Sequence, residues 1–204
     1  MPASAAPKLR GRPKAYDRDA ALKAMRQVFW TKGFSATSLD DMSAATGMNR
    51  PSLYAAFGDK TEAFRAVLKD YIDDARPLYL AAFRTPAPLR ESLMKVYETS
   101  IAIYHNPQAQ GMGCFMIGAA LTDVKRDPEV GEMILSALKD MEAGFIRRFE
   151  KAKEAGELPA DADVKALARI ASSGHNTISV RMRAGESVDD IRQYLTQMVD
   201  VMVR

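Results

Sequence analysis

The side chains best suited to chemistry lie between residues 37 and 60, where polar and basic groups follow a glycine turn. Asn49, Arg50 and Ser52 fall in the first turn of a short predicted helix, and Tyr54 follows them. Arginine and asparagine make bidentate hydrogen bonds to guanine and adenine in the major groove. Hydroxyl groups commonly bind the phosphates that fix the register of a protein on duplex DNA. This set of side chains therefore predicts a surface that reads DNA.

Two short helices must hold these side chains in place. Ser38 is a good N-cap, and Asp41 three residues later completes a short capping box that also puts negative charge at the positive helix end. Gly47 stands where a left-handed residue ends the first helix, and Asn49 caps the second. A glycine-bearing turn of this size is typical of a helix-turn-helix, whose second helix enters the major groove. The alternative is an ordinary helical hairpin.

The segment from residue 29 to residue 64 resembles the DNA-binding domain of TetR-type bacterial transcriptional repressors. That family has a glycine–aromatic pair before a Thr-Ser helix junction, a glycine turn, and a Leu-Tyr-x-x-Phe-x-x-Lys motif. The matching positions in this chain are Gly33, Phe34, Thr37, Ser38, Gly47, Leu53, Tyr54, Phe57 and Lys60. The chain departs from the family at Thr46, Pro51 and Ala56, and Ala56 removes one expected phosphate contact.

Two kinds of DNA contact are expected within this segment. Asn49, Arg50 and Ser52 are expected near base edges. Phosphate contacts are expected from Thr37, Ser38, Tyr54 and Lys60, with Thr37 and Lys60 aided by the positive ends of their helices.

A basic arm, residues 1–14, precedes the helices and contains the sequence KLRGRPK. We expect it to be flexible, because its start is small, polar and rich in proline. Arg10 and Arg12 resemble the core of an AT-hook, in which extended arginines follow a narrow minor groove of strong negative potential. The alternative is a solvated tail that adds only nonspecific attraction to DNA.

Composition and charge restrict the class of protein. The chain has 204 residues, with 47% hydrophobic and 27% charged residues, which is ordinary for a soluble globular protein. Residues 1–60 carry a net charge of +5, whereas the remainder carries −2, so the positive charge accompanies the predicted helix-turn-helix. No apolar run reaches the roughly 18 residues of a membrane span, and no secretory signal is expected. A single cysteine, Cys114, excludes an internal disulfide and favours a cytoplasmic location.

Helical periodicity dominates the whole sequence, and no strand-like alternation is present. We predict an all-α fold of about nine helices. Residues 15–60 form the three-helix DNA-binding domain, and residues 61–204 form a helical ligand-binding and dimerisation domain. The segment from residue 113 to residue 123 is almost wholly apolar and is expected to be a helix buried on every side.

The last two predicted helices carry features of a homodimer interface. One has small residues that allow close helix approach, and the other has an apolar stripe. The expected interface residues are Ala168, Ala171, Ser172, Val188, Ile191, Leu195, Met198 and Met202. Two such helices from each of two copies would form a four-helix bundle, and the TetR resemblance implies the same dimer. The alternative is that both stripes only form the core of one chain.

The C-terminal domain is expected to hold a small, largely apolar effector, because methionine-rich linings adapt to varied shapes. The candidate pocket residues are Tyr71, Phe83, Tyr97, Tyr104, Met112, Cys114, Phe115, Met116, Met141 and His175. The two histidines, His105 and His175, lie in no metal-ligand pattern, and no catalytic arrangement is recognisable. The sequence therefore predicts neither an enzyme, nor a cofactor, nor a metal site.

The function predicted from these features is that of a one-component, ligand-responsive transcriptional regulator. A dimer would bind a pseudo-palindromic operator as a repressor and leave it when an effector binds. One alternative is a redox or electrophile sensor acting through Cys114, whose thiol would be activated at a helix N-terminus. A second alternative is a ligand-free architectural DNA-binding protein. A third, a protein–protein adaptor, would not need the Arg50 helix.

Overall fold

Eight α-helices and one irregular helical segment make up residues 16–105 and 111–204, the parts of the chain that the computed structural model describes. The α-helices are α1 (Arg18–Ala36), α2 (Leu39–Thr46), α3 (Arg50–Phe57), α4 (Lys60–Arg84), α5 (Leu89–Tyr104), α6 (Pro128–Glu154), α7 (Val164–Arg183) and α8 (Val188–Met202). The described ranges contain no strand, and the predicted all-α fold is confirmed. None of these helices combines the length and apolar character that a membrane crossing requires.

Local signals fix the first three helices. Ser38 caps α2 by accepting a hydrogen bond from the Asp41 N–H, while the Asp41 side chain accepts from the Ser38 N–H, which is a complete capping box. Gly47 ends α2 with φ of 66°, a left-handed conformation that favours glycine. Asn49 then caps α3 by accepting a hydrogen bond from the Ser52 N–H at 2.9 Å. These caps turn α3 so that Leu53 is buried against the other two helices.

The long helix α4 connects this unit to the rest of the chain. At its start, the buried Phe64 ring packs edge-on against Phe29 and Phe34 of α1, with centroids 5.0 Å and 5.2 Å away. At its other end, α4 packs against α5 and α6. The helix continues through Pro77 to Arg84, so one continuous helix belongs to both halves of the molecule.

The segment after residue 113 differs from its prediction. It forms a π-helical turn, Met116–Ala120, followed by a 3-10 turn, Leu121–Asp123, and Leu121 is 51% exposed. The expected helix buried on every side is therefore wrong. Its backbone is held by α7, because Gly113 has φ of 72° and lies so close to Ser179 that a Cβ would come within 2.6 Å of the Ser179 carbonyl oxygen.

The helices α7 and α8 pack on each other within one chain. A Cβ placed on Gly174 of α7 would collide with the side-chain end of Met198 of α8. The predicted interface residues Ala168, Ala171, Ser172, Ile191, Leu195 and Met202 are buried, and Val188 and Met198 are half-buried. Six of the eight predicted interface side chains are therefore covered within one chain, and only Val188 and Met198 keep surface that a second copy could contact.

We expect Gly174→Leu to lower the free energy of unfolding by about 1–3 kcal/mol, since the added side chain overfills the contact with Met198. Urea unfolding measures the change. Ala166→Leu is the control, because Ala166 is exposed on the same helix. Equal stability of Gly174→Leu and the unmutated chain would mean that α7 and α8 do not pack this closely in solution.

Candidate DNA-binding surface and ligand cavity

The outer face of α3 is an exposed polar surface of the N-terminal unit. Leu53 and Phe57 point inward and are buried, whereas Arg50, Ser52 and Tyr54 are exposed, Tyr54 to 49%. The structure thus brings three of the predicted DNA-contacting side chains to one accessible helix. The major groove is wide enough to admit an α-helix, so this face can enter it.

Asn49 and Ser38 lie beside this face but also serve as helix caps. The Asn49 Oδ1 atom accepts from the Ser52 N–H, which leaves the amide NH₂ able to donate. The Ser38 hydroxyl accepts from the Asp41 N–H at 3.1 Å and donates to the Asp41 carboxylate at 2.9 Å. Lys32 and Ser38 together lower the pKa of Asp41 to about 2, with the hydrogen bond from Lys32 the largest cause.

Arg50 is paired with Asp40 across the helix-turn-helix. The guanidinium donates to both carboxylate oxygens, at 2.7 Å and 2.6 Å, and this contact raises the pKa of Arg50. The Arg50 side chain is 57% exposed and the Asp40 side chain 72%. An ion pair in water contributes little to stability, so Arg50 can exchange Asp40 for the edge of a base.

Two predicted phosphate contacts have other roles in this structure. Thr37 is only 2% exposed, and its hydroxyl donates to the Gly33 carbonyl at 2.7 Å. The Lys60 ammonium donates to the carbonyl oxygens of Phe34 and Thr37, at 3.1 Å and 2.8 Å, and lies 4.4 Å from the centre of the Phe34 ring. Both side chains hold the link between α1 and α2, and the structure does not present them to a phosphate.

The basic arm, with Arg10 and Arg12, lies outside the described residues.

A cavity of about 210 Å³ opens between α4, α6 and α7, bordered by α5 and the segment after residue 113. Seven of the predicted pocket residues line it: Tyr71, Phe83, Tyr104, Cys114, Met116, Met141 and His175. The other lining residues are Ile72, Ala75, Arg76, Tyr79, Leu80, Ala137, Leu138, Asp140, Ala143 and Arg147. The four-residue spacing of Tyr71, Ala75, Tyr79 and Phe83 places them on one helix face and is the signal that could have found Tyr79.

Three predicted pocket residues do not line this cavity. Tyr97 is fully buried and its hydroxyl donates to the Ala171 carbonyl at 3.0 Å. Met112 is half-buried, and its carbonyl accepts from Arg183 at 3.2 Å. Phe115 does not line the cavity, and its ring packs against Trp30, Phe64 and Tyr71.

The inner wall of the cavity is a set of buried hydroxyl groups around Tyr79. The Tyr79 hydroxyl donates to the Ser100 hydroxyl at 3.1 Å, and it lies 3.4 Å from the Tyr104 hydroxyl and 3.2 Å from His175 Nε2. Burial raises the pKa of Tyr79 and of Tyr104. Burial also lowers the pKa of His175 from 6.5 to about 4, so this imidazole is neutral at pH 7.

Cys114 is buried on the same wall. Its Sγ atom accepts a hydrogen bond from the Tyr71 hydroxyl at 3.4 Å, and its backbone N–H donates to the Ser179 hydroxyl at 2.7 Å. Burial is the largest cause that raises the pKa of Tyr71. The thiol therefore contacts the cavity while its backbone is fixed by α7.

An aromatic cluster joins the cavity wall to the DNA-binding unit. We define it as Trp30, Phe64, Tyr71 and Phe115. The Phe115 ring lies 5.6 Å from Trp30, 5.9 Å from Phe64 and 5.6 Å from Tyr71, measured between centroids. Further along the chain, the Arg126 guanidinium lies 3.6 Å from the centre of the Phe34 ring. The segment that borders the cavity is thus packed on both sides against α1.

Known proteins are similar to this chain in sequence and in architecture. Residues 21–67 match the family described as bacterial regulatory proteins, tetR family, and residues 90–198 match the tetracyclin repressor-like C-terminal domain. The chain is 36% identical over 190 residues to the HTH-type transcriptional repressor ComR of Escherichia coli (strain K12), which covers 91% of this chain and 89% of ComR. The chain belongs to the TetR family of bacterial transcriptional regulators.

Two further similar proteins are consistent with membership of this family. The chain is 24% identical over 193 residues to the uncharacterized HTH-type transcriptional regulator YezE of Bacillus subtilis (strain 168), covering 94% of this chain and 99% of YezE. A cysteine mutant of the TetR family transcriptional regulator CifR, complexed with 26 bp double-strand operator DNA, matches with a TM-score of 0.80 and 27% identity, covering 95% of this chain and 98% of that one.

As a TetR-family member, the protein is a DNA-binding transcriptional regulator and not an enzyme. Within residues 16–105 and 111–204, no cluster of histidine, cysteine and carboxylate side chains is suited to hold a metal ion. The surface of α3 and the cavity are then two candidate recognition sites of this TetR-family regulator.

We expect Arg50→Ala to weaken binding to a selected duplex about tenfold to a hundredfold, because it removes a bidentate base contact. Binding to a scrambled duplex should change little. Fluorescence anisotropy on both duplexes measures this. Arg90→Ala is a matched control, since Arg90 is also an exposed arginine paired with an aspartate, Asp200, at 2.7 Å. Equal losses on the two duplexes would place Arg50 on the phosphate backbone instead.

The neutral His175 should make stability depend on pH. The unfolded chain binds a proton between pH 6.5 and about 4 that the folded chain excludes. Stability is therefore fully present above pH 6.5 and falls by on the order of 3 kcal/mol as the pH drops to about 4. Urea unfolding across this range should show a shallower decline for His175→Gln than for the control His105→Gln, whose histidine is exposed. Identical slopes would contradict the burial of His175 as a neutral ring.

Proposed function

We propose that this TetR-family regulator is a one-component repressor, released from a pseudo-palindromic operator when a small molecule enters the cavity. The observation that carries the proposal is the aromatic cluster. Its Tyr71 borders the cavity, while Trp30 belongs to the DNA-binding unit. A cavity enclosed by apolar side chains with a few convergent polar groups is the usual form of a small-molecule site.

The proposed mechanism starts at the wall that Tyr71 and Cys114 share. An effector that contacts these side chains favours one arrangement of the wall. Because Phe115 follows Cys114 and packs on Trp30 at 5.6 Å, that arrangement is coupled to the position of α1. Close-packed aromatic cores adopt discrete arrangements and do not deform continuously. The effector therefore shifts the population toward a form whose two recognition helices no longer match the operator.

The DNA contacts proposed on α3 are the exposed Arg50, Ser52 and Tyr54, with the free amide NH₂ of Asn49 and the exposed Ser38 beside them. Base contacts are assigned to Asn49, Arg50 and Ser52, and phosphate contacts to Ser38 and Tyr54. The arm, residues 1–14, and the domain limits at 15–60 and 61–204 stay predictions. A repressor acts on the chromosome, so the proposal places the protein in the cytoplasm.

The proposed homodimer uses the outer faces of α7 and α8. Ile170, Ser173, Thr177 and Val180 recur at three- and four-residue steps on α7, and Ile170 and Val180 are 49% and 59% exposed. The Ser173 and Thr177 hydroxyls donate to carbonyls of their own helix, so this uncharged stripe leaves no donor to be buried unpaired. On α8, Gln193, Gln197 and Val201 are exposed at four-residue steps, with Val201 at 69%. Together these stripes fit a four-helix contact between two copies.

A covalent sensor acting through Cys114 is the second candidate. The observation in its favour is that Cys114 lines the cavity, where a small electrophile would enter. Its 2% exposure and its contact with Tyr71 instead fit a thiol that packs as a small core residue. If a maleimide modifies native Cys114 and releases DNA, and Cys114→Ser abolishes that release, this candidate replaces the noncovalent one.

The repressor proposal is tested by selecting duplexes from a random pool with the purified protein. We expect a two-fold symmetric consensus and two chains per duplex, measured by light scattering of the complex. Absence of any preference between selected and scrambled duplexes would overturn the proposal.

The dimer surface predicts that Val180→Glu yields monomers, because the interface would bury an unpaired carboxylate. Light scattering on the free protein gives the mass. Leu121→Glu is the control, since Leu121 is similarly exposed, at 51%, on the segment after residue 113. A dimer that persists in Val180→Glu at the same concentration would place the contact on another face.

A further inference from the structure

The mouth of the cavity carries one positive charge without a partner. Three charged side chains line the cavity: Arg76, Asp140 and Arg147. Arg76 and Asp140 form an ion pair with atoms 3.3 Å apart. Arg147 is exposed and has no carboxylate within ion-pair distance among the residues that the structure describes. A ligand that brings one negative charge would complete this set.

Deeper in the cavity, one buried hydroxyl has only a weak partner. The Tyr71 hydroxyl donates to Cys114 Sγ at 3.4 Å, and a thiol sulfur is a poor acceptor. By contrast, the Tyr79 hydroxyl has oxygen and nitrogen partners at 3.1 Å and 3.2 Å. Tyr71 is 5% exposed, so its donor gains from an oxygen acceptor supplied within the cavity.

The cavity that Arg147 and Tyr71 both line has room for a single ring. Phe83, Leu138 and Met141 supply apolar wall to the cavity of about 210 Å³. An apolar cavity of about 150 Å³ binds benzene. The additional volume accommodates small substituents on such a ring.

We propose that the effector of this protein is a small aromatic monocarboxylate that carries an oxygen atom on the ring away from the acid group. The carboxylate binds Arg147 at the mouth, and the ring lies against Phe83 and Met141. The oxygen substituent on the ring accepts a hydrogen bond from the Tyr71 hydroxyl. This inference rests on the proposed function, because it names the class of molecule that the cavity senses.

Other ligand charges fit less well. A cation would meet the unpaired Arg147, and a dianion would bring a second charge with no free cation among the described lining residues. A neutral aromatic molecule would contact the apolar wall but would leave Arg147 without a negatively charged partner. The interior offers no second charge, since burial keeps His175 neutral there.

The test uses 4-hydroxybenzoate as the probe, with 4-hydroxybenzyl alcohol, 4-hydroxybenzylamine and benzoate for comparison. Trp30, the single tryptophan of the chain, lies 5.7 Å from the Tyr71 ring and gives a fluorescence signal for occupancy. We expect 4-hydroxybenzoate to bind about tenfold more tightly than the alcohol at low salt, because it adds a charge-assisted pair with an exposed arginine. The amine should bind most weakly.

Two variants assign the two contacts. Arg147→Gln should reduce the affinity for 4-hydroxybenzoate to that for the alcohol and leave the alcohol unchanged. Tyr71→Phe should weaken binding of the three hydroxylated probes relative to benzoate. Lys139→Gln is the control, because Lys139 is an exposed cation on the same helix that does not line the cavity. Operator release by 4-hydroxybenzoate, measured by anisotropy, should follow the same order.

Equal binding of acid and alcohol to the unmutated protein, or an Arg147→Gln variant that keeps the preference for the acid, overturns the proposed ligand class. Binding of none of the probes overturns it as well. None of these results contradicts the repressor proposal, which fails only if selected duplexes are not preferred. The ligand class and the repressor proposal are therefore tested by separate measurements on the same protein.

Discussion

The packing of Phe115 against Trp30 is the contact on which the rest of the structure depends. Phe115 follows Cys114, which lines the cavity, and Trp30 belongs to the first helix of the DNA-binding unit. Neither ring is exposed by more than 4%, so neither can move without displacing its neighbours. A chain that places these two rings in one core cannot alter the cavity wall and leave the first helix untouched. The same contact that stabilises the fold is thus the physical basis of the coupling that we propose between ligand and DNA.

The cavity has one wall of hydroxyl groups and one apolar wall, and the two contribute differently to recognition. Hydroxyl groups around Tyr79 satisfy one another, which fixes the shape of the inner end before any ligand arrives. The apolar side, with Phe83 and Met141, offers contact area without directional demands. Selectivity then depends on the few groups whose hydrogen-bonding capacity the protein itself does not use.

Local sequence signals predicted the helices well, because caps and breakers act over a few residues. Ser38, Gly47 and Asn49 end or begin helices where their chemistry requires it. Side-chain roles were harder to predict. Lys60 stands at a motif position, yet it binds the carbonyls of Phe34 and Thr37, since a motif records residue types and not what they contact.

Longer-range contacts lay beyond the sequence. An apolar stripe on a helix does not reveal whether its partner belongs to the same chain, so the packing of Met198 on Gly174 could not be predicted from it. The lining of the cavity was predicted only in part for a similar reason. The spacing of Tyr71, Tyr79 and Phe83 places them on one helix face, but the empty space beside them depends on the lengths of side chains from α6 and α7. The pairing of Arg50 with Asp40 also emerged only from the folded chain. Because Asp40 already neutralises that arginine, the reading helix approaches random chromosomal sequence with a smaller local charge. In the function that we propose, such a helix binds nonspecific DNA more weakly than a helix with an unpaired arginine would.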